Sequence, residues 1–94
     1  MEEWDSAIEQ AVSELGPSFD SHRVIKELAH RNQRQYISAL AAVDSETPFH
    51  YLHSLLGRRI KVVCERLGFR GRESRSLDMF GQNSRSIAWS REPG

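Results

Sequence analysis

This chain predicts a mainly α-helical fold closed by a C-terminal β-hairpin, and three observations carry that prediction. Apolar residues recur at helical spacing from Trp4 to Leu67. Beyond Gly68 the period changes: Leu77 and Met79, then Ile87 and Trp89, alternate with polar neighbours. Between those two runs stands Gly81-Gln82-Asn83-Ser84, a hairpin-turn composition. With 94 residues, the chain is expected to form a single domain over 1–94 with a modest core.

Residues 2–15 read as the first helix. Trp4, Ile8, Ala11, Val12 and Leu15 fall on one face, and acids crowd the first turn, where the helix dipole favours them. Gly16-Pro17 ends it. Residues 21–43 hold helices two and three. Asp20 or Ser21 caps the second, and Val24, Ile25 and Leu28 form its inner face. Phe19 either staples that helix entry or lies in a short extended segment. Asn32 is placed to cap the third helix with Gln35 at the box position, and Tyr36, Ile37, Leu40 and Ala41 supply its inner face. Nothing in the sequence forces a break there, so three or four helices in all are allowed.

Asp44–Thr47 is a polar turn into the most informative stretch, the helix 48–67. Thr47 is a suitable N-cap, Pro48 suits the first helical position, and Gly68 suits a left-handed C-cap. Phe49, Leu52, Leu56, Ile60, Val63 and Leu67 make one continuous stripe. His50, Ser54, Arg58 and Lys61 occupy the polar side. The polar, Gly-containing run from Phe69 to Arg75 reads as a loop, residues 76–90 as the hairpin, and 91–94 as a tail that frays at Glu92–Gly94.

Composition excludes several classes. A hydrophobic fraction of 38% with 28% charged residues fits a globular chain rather than a disordered one. No run approaches the ~20 apolar residues of a spanning helix, and no secretory leader opens the chain. Cys64, the single cysteine, reads as a buried hydrophobe in a reducing compartment, so a cytoplasmic location is expected. No phosphate loop, nucleophile elbow or CxxC is present, and catalysis is not expected. His50 and His53 share a helix without further ligands at metal-site spacing, so no metal or cofactor is expected. His22 and His30 read as solvated, and Glu14, Asp20 and Glu27 as unpaired carboxylates.

The formal net charge of zero conceals an asymmetry. Residues 1–50 hold nine acidic and four Lys/Arg side chains, and residues 51–94 hold four acidic and nine Lys/Arg. A local basic patch attracts polyanions whatever the total charge; a solvated basic face is the alternative reading.

Helices, a turn, a further helix and then a hairpin with a terminal Trp resemble the winged helix-turn-helix superfamily. The residues carrying the resemblance are the turn Asp44–Thr47, the helix Pro48–Leu67 and the strands Leu77–Phe80 and Arg85–Trp89. It implies a recognition helix at 48–67 and a two-stranded wing. It also implies that His50, Ser54, Arg58 and Lys61 face the major groove of double-stranded DNA, while Arg70, Arg72, Arg75 and Arg85 hold phosphates. The chain departs from that pattern in having three helices before the reading helix, and in Gly57 inside it, which costs about 1 kcal/mol relative to Ala. The implied function is a transcriptional regulator or an accessory factor of a mobile element. Tyr51, Leu55 and Val62 lie outside the main stripe. They predict either cover from the first helix or a partner surface, as in a homodimer or a protein-interaction module.

Overall fold

Trp89 explains the architecture better than any other residue. Its ring, 1% exposed, is held from one end of the core by strand β3 (Asn83–Ser90), and its indole N–H donates to Ser21 Oγ at 2.9 Å. Ser21 opens helix α2 (Ser21–Arg31), so this buried bond helps to tie the C-terminal strand to the first half of the chain. The computed structural model describes residues 1–91. A 3-10 turn at Glu2–Trp4 leads into α1 (Asp5–Leu15), followed by β1 (Ser18–Asp20), α2, α3 (Gln33–Ala42), α4 (Pro48–Arg66), β2 (Arg70–Leu77) and β3. The result is winged-helix-like: helices packed on one another and on a three-stranded antiparallel sheet of order β1-β3-β2.

The helical stripes meet in one core. Trp4, Ile8, Ala11 and Val12 of the first segment pack with Val24, Ile25 and Leu28 of α2. Leu52, Leu56, Ile60, Val63 and Cys64 of α4 complete it, with Tyr36, Phe69 and Trp89. Cys64 is fully buried and its thiol is pushed up to about 12, chiefly by desolvation, so it acts as an apolar side chain. Asp20 caps α2 by accepting from the Arg23 N–H at 2.9 Å. Gly68 takes φ of 90° immediately after α4, the left-handed conformation that turns the chain into β2.

Several expectations are corrected. The two-stranded hairpin is joined by a third strand, because Phe19 takes the extended alternative and pairs with Trp89. Residues 70–75, read as a loop, form most of β2, and the turn lies at Asp78–Gln82, so of the expected strand Leu77–Phe80 only Leu77 lies in β2. The alternation test fails on β2 because it is an edge strand whose residues are mostly exposed. Gly71 instead marks its close approach to β3: a Cβ there would sit 2.6 Å from Trp89 Cζ3 and 2.8 Å from Ile87 Cγ2.

Helices α2 and α3 are separate, but Asn32 does not cap α3. Its side chain turns back to donate to the Leu28 carbonyl, and no box forms with Gln35. Thr47 makes no capping bond either; its hydroxyl lies 3.4 Å from Ser45 Oγ. Phe49 is 44% exposed and Ile37 63%, so neither belongs to the core stripe. Arg91, assigned to the tail, is anchored: its N–H donates to the Pro17 carbonyl, its guanidinium donates to the Leu67 carbonyl, and it lies over the Phe69 ring. The fraying expected for Glu92–Gly94 lies outside the described residues. None of the described helices is long and apolar enough to cross a membrane.

Candidate nucleic-acid interface

Helix α4 divides its exposed surface between two neighbours. On one flank α1 covers it. Arg59 donates to both carboxylate oxygens of Asp5, at 2.6 and 2.7 Å, and Arg66 lies 3.6 Å from Asp5 and 3.4 Å from Glu9. The Arg59 hydrogen bonds hold the Asp5 carboxyl below its usual range. Two arginines of the basic stretch are thereby neutralised within the fold.

The other flank of α4 faces the hairpin across an open groove floored partly by Ser21, His22 and Ile25 of α2. All four polar candidates of α4, namely His50, Ser54, Arg58 and Lys61, line this groove. So do Arg75 and Arg85 of the hairpin. Arg70 and Arg72 do not; they sit at the start of β2, paired with Ser90 and Ala88 at the end of the sheet away from the turn. Among the described residues, Arg58, Lys61, Arg75 and Arg85 make no ion pair. Arg75 donates to Asn83 Oδ1 at 3.0 Å, and it faces Arg85 directly across the ladder. Like charges at that position repel unless an anion lies between them. Glu46, Glu73 and Asp78 also line the groove, so its charge is mixed. Asp78 is committed to the turn, accepting from the N–H groups of Phe80 and Gln82.

One end of the groove is aromatic. Phe80, at the hairpin apex, packs edge-to-face on Phe49 at 4.9 Å and nearly parallel to the His53 ring at 6.1 Å. His53 Nε2 and Tyr36 Oη share a 2.5 Å hydrogen bond, and Met79 Sδ lies 3.8 Å from the same oxygen. Desolvation lowers the His53 pKa and raises that of Tyr36, so both are neutral near pH 7 and the phenol donates to the imidazole.

The lowered His53 value fixes the sign of a pH effect. Unfolding takes up protons below the ordinary imidazole pKa of 6.5, so this contribution to stability is complete above 6.5 and is lost as pH falls through the folded value. The melting temperature is therefore expected to fall between about pH 7.5 and about pH 5.5, with a smaller fall in His53→Gln. Equal falls in parent and variant would place the dependence elsewhere.

His22 is not solvated. Its ring nitrogens meet Ser76 Oγ at 2.8 Å and Ser84 Oγ at 3.3 Å, and its N–H donates to Ser86 Oγ at 3.3 Å. Hydroxyls donate or accept as required, so either tautomer is satisfied. This clamp holds the hairpin to the start of α2. Two of the three carboxylates are not unpaired either: Glu14 and Glu27 both pair with Arg31, and Glu27 also with Arg23, while Asp20 serves as the cap of α2. The overlooked signal for the clamp was serine at every second position in both strands, Ser74/Ser76 and Ser84/Ser86. No comparable signal marks the contact of His53 with Tyr36, which is fixed only by how α3 packs on α4.

Gly57 lies in the groove wall, and a Cβ there meets nothing within 4 Å. Gly57→Ala is expected to raise stability by about 1 kcal/mol, roughly 4–8 °C in melting temperature. A thermal melt checks this, and an unchanged or lower midpoint would mean that the helix backbone is strained there.

Among the described residues no three His, Cys, Asp or Glu side chains converge as a metal site requires. The chain matches no family model, no curated protein and no solved structure.

Proposed function

We propose that this is a winged-helix protein that binds double-stranded DNA, with α4 in the major groove and the hairpin against the backbone. The observation that carries the reading is the convergence of Arg58, Lys61, Arg75 and Arg85 on one groove, free of ion pairs among the described residues. Arg58 suits a guanine edge, with Ser54 and His50 as neighbouring donors or acceptors. Arg75, Arg85 and Lys61 suit phosphates. Glu46 and Glu73 oppose phosphate but suit the amino group of cytosine, which a carboxylate accepts from. Transcriptional control, or an accessory role in a mobile element, would use this mode of binding, in the cytoplasm, where a lone buried Cys64 stays reduced.

Amide chemical shifts recorded with and without a duplex test the reading. Perturbations are expected at residues 50–61 of α4 and around Arg75 and Arg85. A spectrum unmoved by every duplex at low salt would overturn it.

A second reading, a protein-interaction module or homodimer, is favoured by Tyr51 and Val62, 51% and 44% exposed on the outer side of α4. Leu55 does not stand exposed with them; it is half-buried, so Leu55→Asp would disturb the fold rather than test an interface. Val62→Glu is the better probe. On the dimer reading, light scattering should show the parent at twice the molar mass of the variant; a parent at the monomer mass excludes the dimer, and two equal dimers exclude this face as its interface.

A further inference from the structure

We infer that the groove takes DNA carrying an unpaired base, stacked on Phe80 at the hairpin apex, and not only a fully paired duplex. The inference rests on the DNA reading above and narrows its ligand to a duplex with a single-stranded extension.

Phe80 and Phe49 are 52% and 44% exposed, yet they close one end of a groove lined by four cations, Arg58, Lys61, Arg75 and Arg85, beside the carboxylates Glu46, Glu73 and Asp78. A paired duplex keeps the faces of its bases stacked inside and offers only edges and phosphates, so it gives these rings nothing to cover. An unpaired base offers a π-face. A cationic groove tracking the backbone, with aromatic rings for the bases, is the arrangement that binds single strands.

The platform is ordered in advance. Phe80 rests against Phe49 and His53. Its backbone is fixed by Asp78 Oδ1, which accepts from the N–H groups of Phe80 and Gln82 at 2.9 and 3.0 Å. Little rotamer freedom is left to lose on stacking. Behind the apex, Arg75 and Arg85 oppose each other across the ladder, which leaves a place for the phosphate that follows the stacked base.

The test is fluorescence anisotropy on a blunt duplex of about 20 base pairs and on the same duplex with a short single-stranded extension. The parent is expected to bind the extended duplex about tenfold more tightly. Phe80→Leu should abolish that preference, so that the variant binds the extended and the blunt duplex equally, and Phe80→Trp should retain it. Because Phe80 is half exposed, thermal melts of both variants should stay near the parent's. Equal affinity of the parent for both duplexes, or an unchanged preference in Phe80→Leu, overturns base capture while the duplex reading stands. Absence of binding to either DNA overturns both.

Discussion

Gly71→Ala is expected to lower stability by roughly 1–3 kcal/mol, the usual range for overpacking a filled core. For a domain of this size that is about 5–20 °C in melting temperature. The new Cβ would meet Trp89 Cζ3 at 2.6 Å, Trp89 Cη2 at 2.9 Å and Ile87 Cγ2 at 2.8 Å. The indole cannot swing aside: it is fixed by its bond to Ser21 Oγ and is 1% exposed. Relief must therefore come from the edge strand, with β2 lifting away from β3. A double-mutant cycle isolates the cause. In a Trp89→Phe background the smaller ring vacates the space, and Gly71→Ala should cost less there. Equal costs in both backgrounds would show that the clash is not with the indole.

Arg58→Ala combined with Lys61→Ala is expected to weaken duplex binding at least tenfold. A well-placed arginine on a base edge is worth about 1–3 kcal/mol. Losing one lysine–phosphate contact should also make the salt slope shallower by about 1. Arg59→Ala is the internal control. It lies on the same helix, one residue from Arg58, but its guanidinium is engaged bidentately by Asp5 on the α1 side. Its removal should leave the affinity for duplex nearly unchanged. If Arg59→Ala weakens binding as much as the double variant, general charge rather than the groove is responsible. Measuring Kd by anisotropy for the three proteins decides between them.

How far the sequence carries can be read from particular residues. The α4 stripe, its Pro48 start and its Gly68 stop were legible because helical period and capping are local properties. The separation of Arg58 from Arg59 was not. Both look like exposed cations in sequence, and only the docking of Asp5, 54 residues away, removes one of them from the surface. Strand β2 was hidden for a related reason. An exposed edge strand has no need of apolar alternation, and its one packing requirement is met by a missing side chain, Gly71, rather than by a present one. His22 reads as solvated because its partners, serines on the hairpin, are brought to it by tertiary packing, and the Tyr36 partner of His53 on α3 is invisible in the sequence for the same reason. The four polar positions of α4 line one groove, as their helical spacing allows, whereas nothing in the sequence marks its aromatic end. Phe49 had been assigned to the stripe and Phe80 to a strand.

The most direct test of the DNA reading is a salt titration of duplex affinity. Lys61, Arg75 and Arg85, each releasing counterions from about one phosphate, give a log–log slope of about −2.7, at roughly −0.9 per phosphate. Between about 50 and 200 mM salt the affinity should therefore fall roughly fortyfold. An affinity that stays flat across that range, or no binding to any duplex at the lower salt, would contradict the account and leave the exposed outer face of α4, with Tyr51 and Val62, as the surface to explain.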